Sequence, residues 1–90
     1  MTTVRIPPPL RPSVNGERSV EADGATVREV LDDLTSRFPA LRGQVFEGET
    51  IAPFINVFLE SEDVRTLDGL ETSVKEGSTL MLLPAMAGGA

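Results

Sequence analysis

The sequence predicts an α+β domain in which one main helix lies across one face of a mixed sheet of four to five strands. Three observations lead there. Apolar residues recur at helical spacing only between residues 27 and 38. The flanking stretches are short apolar or alternating runs bounded by turn residues. The last such run, Leu80 to Leu83, stops at Pro84 and gives way to Ala85, Met86, Ala87, Gly88, Gly89 and Ala90. A single helix can bury its apolar stripe only by lying across the sheet.

Thr3 to Ile6 alternate polar and apolar residues, which puts Val4 and Ile6 on one face of a first strand. The run Pro7 to Pro9 ends regular pairing. Asn15-Gly16 is a two-residue hairpin signal, because both residues tolerate positive φ. Glu17 to Ala22 is expected to return antiparallel with Val20 inward. Asp23-Gly24 breaks that strand, and Thr26 with Glu29 forms a capping box. Val27, Val30, Leu31, Leu34 and Phe38 then make one stripe, and Pro39 ends the helix. Leu41 to Phe46 is expected to form an irregular turn over the core edge, and Glu47 to Pro53 an acidic loop. Phe54 to Leu59 is a strand apolar on both faces, and Val64-Arg65 a short strand after a charged turn. Thr79 to Leu83 is the last strand, with Leu80 and Leu82 alternating with Met81 and Leu83. Pairing the first and last strands in parallel at the centre completes a β-grasp layout. The domain is expected to span residues 1–84 and the extended tail residues 85–90.

Ninety residues suffice for one modest core. The chain has no Cys, His, Trp or Tyr, which removes thiolate nucleophiles, imidazole bases and soft metal ligands and argues against an intrinsic catalytic site. A net charge of −6, with eight basic residues scattered along the chain, argues against nucleic acid and for a partner with a basic docking surface. No apolar window is long enough for a membrane span, and the opening MTTVRIPPPL has no apolar signal-peptide region, so a cytoplasmic protein is expected.

If Ile55, Val57, Leu80 and Leu82 meet the helix, Phe54, Phe58, Met81 and Leu83 lie on the opposite face. They would form an apolar docking patch beside the root of the tail, since exposed apolar patches commonly mark interaction sites. The tail itself is small and flexible. Six residues of extended chain reach roughly 20 Å, enough to enter another protein's active site. Two glycines without Cβ atoms could thread a narrow channel and deliver a carboxylate.

The helix TVREVLDDL followed by proline, the strand and turn INVFLESEDVR, the stretch LDGLETSVKEGSTL and the ending LLPAMAGG resemble the ubiquitin-like sulfur-carrier proteins of the ThiS/MoaD family. The RIPPPLRP opening and PAMAGG tail are most similar to its CysO branch. The resemblance implies a carrier, not an enzyme, that binds no cofactor of its own and is monomeric when alone. A partner adenylyltransferase of the ThiF/MoeB type, using ATP and Mg²⁺, would activate the Gly89 carboxylate, and sulfide would convert it to a thiocarboxylate. A sulfur-accepting synthase, for cysteine or another thio-metabolite, would consume it. Ala85, Met86, Ala87 and Gly88 would thread the partners' channels, while Phe54, Phe58, Met81 and Leu83 dock. Family members ready for activation end in Gly-Gly, so Ala90 implies a precursor trimmed by a zinc-dependent JAMM-type peptidase.

Three other readings stay open on the sequence: a ubiquitin-like modifier attached to lysines, the MoaD-type small subunit of molybdopterin synthase, and an interaction module with an inert tail. Arg11 and Arg65 are further candidates for docking contacts near strand ends.

Overall fold

Strand β1 (Thr2–Arg5) sits near the centre of the sheet, between β2 (Ser19–Ala22) and β7 (Thr79–Pro84) in a computed structural model that describes residues 1–84. The β1–β2 pair is antiparallel, with Val4 opposite Val20, and the β1–β7 pair is parallel, with Val4 opposite Leu80. β7 then pairs antiparallel with β5 (Ile55–Leu59), which carries the edge strand β6 (Glu62–Asp63). The order β2-β1-β7-β5-β6 is the expected β-grasp sheet, with its first and last strands parallel at the centre.

Helix α1 (Val27–Arg37) forms where the stripe places it. The Thr26 hydroxyl accepts from the Glu29 amide at 3.2 Å, and Glu29 Oε1 accepts in return from the Ala25 amide at 2.8 Å, one residue earlier than in the usual capping box. Val27, Val30, Leu31 and Leu34 are fully buried against Val4, Ile55, Val57, Leu80 and Leu82 in one core. Burying each such side chain contributes about 1.5 to 3 kcal/mol, so the stripe holds the helix on the sheet.

Pro39 ends α1 and also begins a second helix, α2 (Pro39–Val45), which replaces the expected irregular turn. Proline suits the first helical position, where its missing N–H would have no partner. Leu41 and Val45 from α2, with Phe46, close one side of the core. A two-residue hairpin follows, β3 (Phe46–Glu47) with β4 (Thr50–Ile51), turning at Gly48 with a φ of +65°.

Two local expectations are corrected. Asn15 and Gly16 do adopt positive φ, 59° and 79°, yet they do not form a tight hairpin turn. They close a 3-10 segment, Pro8–Val14, that buries Leu10 and Val14 in the connection between β1 and β2. A run of three prolines cannot continue the ladder, and the chain passes into the 3-10 segment instead. Val64–Thr66 is likewise a 3-10 turn, capped by Asp63, and the short strand lies just before it at β6.

Candidate functional site

Of the four residues expected to dock, Phe58, Met81 and Leu83 fall on the face of the sheet turned away from α1. Alternation along β5 and β7 buries Ile55, Val57, Leu80 and Leu82, and sends Asn56, Phe58, Met81 and Leu83 to the other side. Phe58 stands directly opposite Met81, and Asn56 opposite Leu83. Side chains so placed touch and exclude water as a pair. Phe58 and Met81 are half-buried, while Leu83 remains 38% exposed.

Phe54 departs from the expectation that it belongs to the strand. It lies in the turn before β5 and is 49% exposed. That turn is pinned by Arg65, whose Nη2 donates to the Ala52 carbonyl at 3.1 Å and the Ile55 carbonyl at 2.9 Å, and whose Nη1 donates to Asn56 Oδ1 at 2.9 Å. The Ile55 amide in turn donates to the Ala52 carbonyl at 3.2 Å. With both backbone groups of Ile55 engaged there, the residue opposite it, Pro84, needs no N–H to complete the ladder. Arg65 thus shapes the turn that presents Phe54. Sequence reasoning placed it near a strand end without this role.

Beside Leu83 lies a cavity of about 160 Å³, lined by Arg5, Arg11 and Arg18 together with Ile6, Pro7, Pro8, Met81, Leu82 and Leu83. The reading of the basic residues as scattered is corrected here. Arg5 is level with Met81 in the parallel register, Arg18 is brought in because its carbonyl accepts from the Ile6 amide at 2.8 Å, and Arg11 is fixed by donating from Nε to the Ile6 carbonyl at 3.0 Å. Pairing of β1 with β2 folds three positions distant in sequence into one locus.

Ala85, Met86, Ala87, Gly88, Gly89 and Ala90 lie outside the described residues. Among the described residues no group of three or more Asp, Glu, His or Cys side chains is arranged to hold a metal ion. No described helix is long and apolar enough to cross a membrane. An apolar patch, an ordered turn and an arginine-lined cavity are grouped at the point where β7 ends.

Comparison with known proteins gives the chain a family. The ThiS family profile matches residues 4–89, a span that takes in Gly88 and Gly89. The sulfur carrier protein CysO of Mycobacterium tuberculosis is 36% identical over 97% of this chain and 97% of its own. In the crystal structure of the Amycolatopsis orientalis BexX/CysO complex, one chain superposes with a TM-score of 0.91 and 48% identity, covering 94% of this chain and 96% of that one. The small archaeal modifier protein 1 of Methanosarcina acetivorans superposes with a TM-score of 0.87 and 29% identity, covering 97% of this chain and 94% of that one. Profile, sequence and fold agree over nearly the whole chain: the protein belongs to the ThiS family of ubiquitin-like sulfur carriers and shares the pattern of its CysO branch.

Proposed function

We propose that the chain carries sulfur as a thiocarboxylate on Gly89 and hands it to a biosynthetic enzyme for cysteine or another thio-metabolite. The observation that carries this reading is the 36% identity to a sulfur carrier protein over 97% of both chains, joined to a family match that reaches the diglycine. The Gly89 carboxylate attacks the α-phosphorus of ATP on a ThiF/MoeB-type adenylyltransferase holding Mg²⁺, and pyrophosphate leaves. Sulfide then attacks the acyl-adenylate carbon, AMP departs with the C–O electron pair, and a C–S bond replaces the broken C–O bond. On a sulfur-accepting synthase the thiocarboxylate sulfur forms a bond to the acceptor, and water then breaks the C–S bond to Gly89, which releases the sulfur-bearing product and restores the carboxylate. The chain acts as a co-substrate, monomeric until it docks, in the cytoplasm where ATP is at hand.

Position is what the chain contributes. A rigid β7 backed by the core fixes where the tail departs, so the reacting carboxyl group reaches a partner's site as an effectively intramolecular reactant. Phe54, Phe58, Met81 and Leu83 hold the partner at that departure point, and Ala85, Met86, Ala87 and Gly88 span the distance to it. Ala90 leaves first, by hydrolysis of the Gly89–Ala90 peptide bond on a JAMM-type metallopeptidase. Likeness to a small archaeal modifier protein supports a second reading, attachment of Gly89 to lysines of target proteins.

The test is the intact mass of the purified chain, truncated at Gly89, after incubation with ATP, Mg²⁺, sulfide and the adenylyltransferase of the same organism. A gain of one sulfur for one oxygen supports the carrier reading. An unchanged mass refutes it, and adducts surviving a denaturing gel assign the modifier role.

A further inference from the structure

The net charge of −6 describes the chain as a whole, while the point where β7 ends has the opposite sign. Arg5, Arg11 and Arg18 line the cavity there without any carboxylate among its lining residues. None of the three forms an ion pair among the described residues, whereas Arg28, Arg37 and Arg42 pair with Glu71, Asp33 and Asp32. One Arg11 nitrogen is committed to the Ile6 carbonyl, which holds its planar fork in place and leaves the other N–H groups for an outside acceptor. The cavity shares Met81 and Leu83 with the apolar patch, so whatever fills it meets charge and hydrocarbon together.

We propose that this arginine-lined cavity is the electrostatic half of the docking surface and takes a carboxylate-bearing loop of the partner protein that receives the C-terminal segment. The inference rests on the reading that such a partner exists. A protein loop is favoured over a free anion because the cavity is continuous with the apolar patch, and only a macromolecular occupant covers both. The volume of about 160 Å³ leaves room for a carboxylate side chain. Guanidinium groups match carboxylates in geometry as well as charge. The partner's docking surface is thus acidic beside the tail, the reverse of what the net charge suggests.

The test measures binding of the chain truncated at Gly89 to the purified ThiF/MoeB-type adenylyltransferase of the same organism at low and high salt, with adenylation followed in the same samples. Arg5→Glu and Arg18→Glu are each expected to raise Kd on the order of tenfold at low salt, with a smaller effect at high salt and unchanged circular dichroism. Lys75→Glu, in the turn that precedes β7, serves as the charge-matched control and is expected to leave Kd unchanged. Equal binding by the arginine variants and the wild type overturns the inference, as does an equal loss in the Lys75 variant. Inorganic sulfate that shifts the melting temperature of the wild type, while the arginine variants still bind the enzyme normally, assigns the cavity to a small anion and also overturns it. Binding without adenylation refutes the carrier chemistry and leaves the docking inference to stand or fall on the Kd values. A wild-type chain that does not bind at all overturns both.

Discussion

Replacing Arg65 by alanine removes one side chain that holds the turn before β5 from three directions. Two of its acceptors, the Ala52 and Ile55 carbonyls at 3.1 and 2.9 Å, are part-buried, and the third, Asn56 Oδ1 at 2.9 Å, is at the surface. A hydrogen bond from a charged donor contributes about 1.5 to 3 kcal/mol when well buried. The Arg65 side chain is itself exposed and water can replace it in part, so about 1 kcal/mol for each part-buried carbonyl is the appropriate scale. The Arg65→Ala variant is therefore expected to lose about 2 kcal/mol, which in a domain of this size lowers Tm by roughly 8 to 16 °C. Arg65→Lys places one compact cation where a planar fork spanned two carbonyls, and is expected to recover less than half of the loss. Thermal melts followed by circular dichroism give the magnitude, and amide exchange locates it, with faster exchange at Ile55. An alanine variant that melts within about 2 °C of the wild type, or a lysine variant that restores stability in full, would refute the reasoning.

Gly24→Ala is expected to destabilise by about 1 to 3 kcal/mol, because its Cβ would lie 2.5 Å from the Val30 amide nitrogen and 2.7 Å from the Glu29 carbonyl carbon, both backbone atoms at the start of α1. Gly43→Ala, in α2 with nothing within 4 Å of its Cβ, is expected to act in the opposite sense and stabilise by about 0.5 to 1 kcal/mol; urea melts of the two variants read the signs directly. Leu83→Asp is expected to leave the fold intact, since the side chain is 38% exposed, and to weaken binding of the adenylyltransferase on the order of tenfold, read as Kd beside an unchanged melt. Leu82→Ala, on the buried side of the same strand, is expected to cost about 2 to 5 kcal/mol, so adjacent residues of β7 separate docking from stability.

Much of the fold was legible because local and long-range signals agreed. The Thr26–Glu29 pair, the stripe from Val27 and the stop at Pro39 all describe α1, and the alternation of Leu80 and Leu82 with Met81 and Leu83 gave both faces of β7. Helix α2 is too short to show a repeating stripe, and its signals are only a proline at the first helical position and the single pair Leu41 and Val45, four residues apart. Phe54 was drawn into β5 by its apolar character, and the force keeping it in the turn comes from Arg65, ten residues beyond Ile55 in sequence. The arginine cavity had no one-dimensional signature. Residues 5, 11 and 18 converge only once β1 pairs with β2 and the proline-rich segment turns inward between them.

The central claim is that a quiet scaffold presents one glycine carboxyl group to other proteins' chemistry. It is tested most directly by reconstituting sulfur transfer with the adenylyltransferase, sulfide and acceptor synthase, and comparing chains that end at Gly89 and at Ala87. The chain ending at Gly89 is expected to gain sulfur and support product formation, while the chain ending at Ala87 folds and binds yet delivers none. Equal sulfur delivery by the two chains would contradict the account.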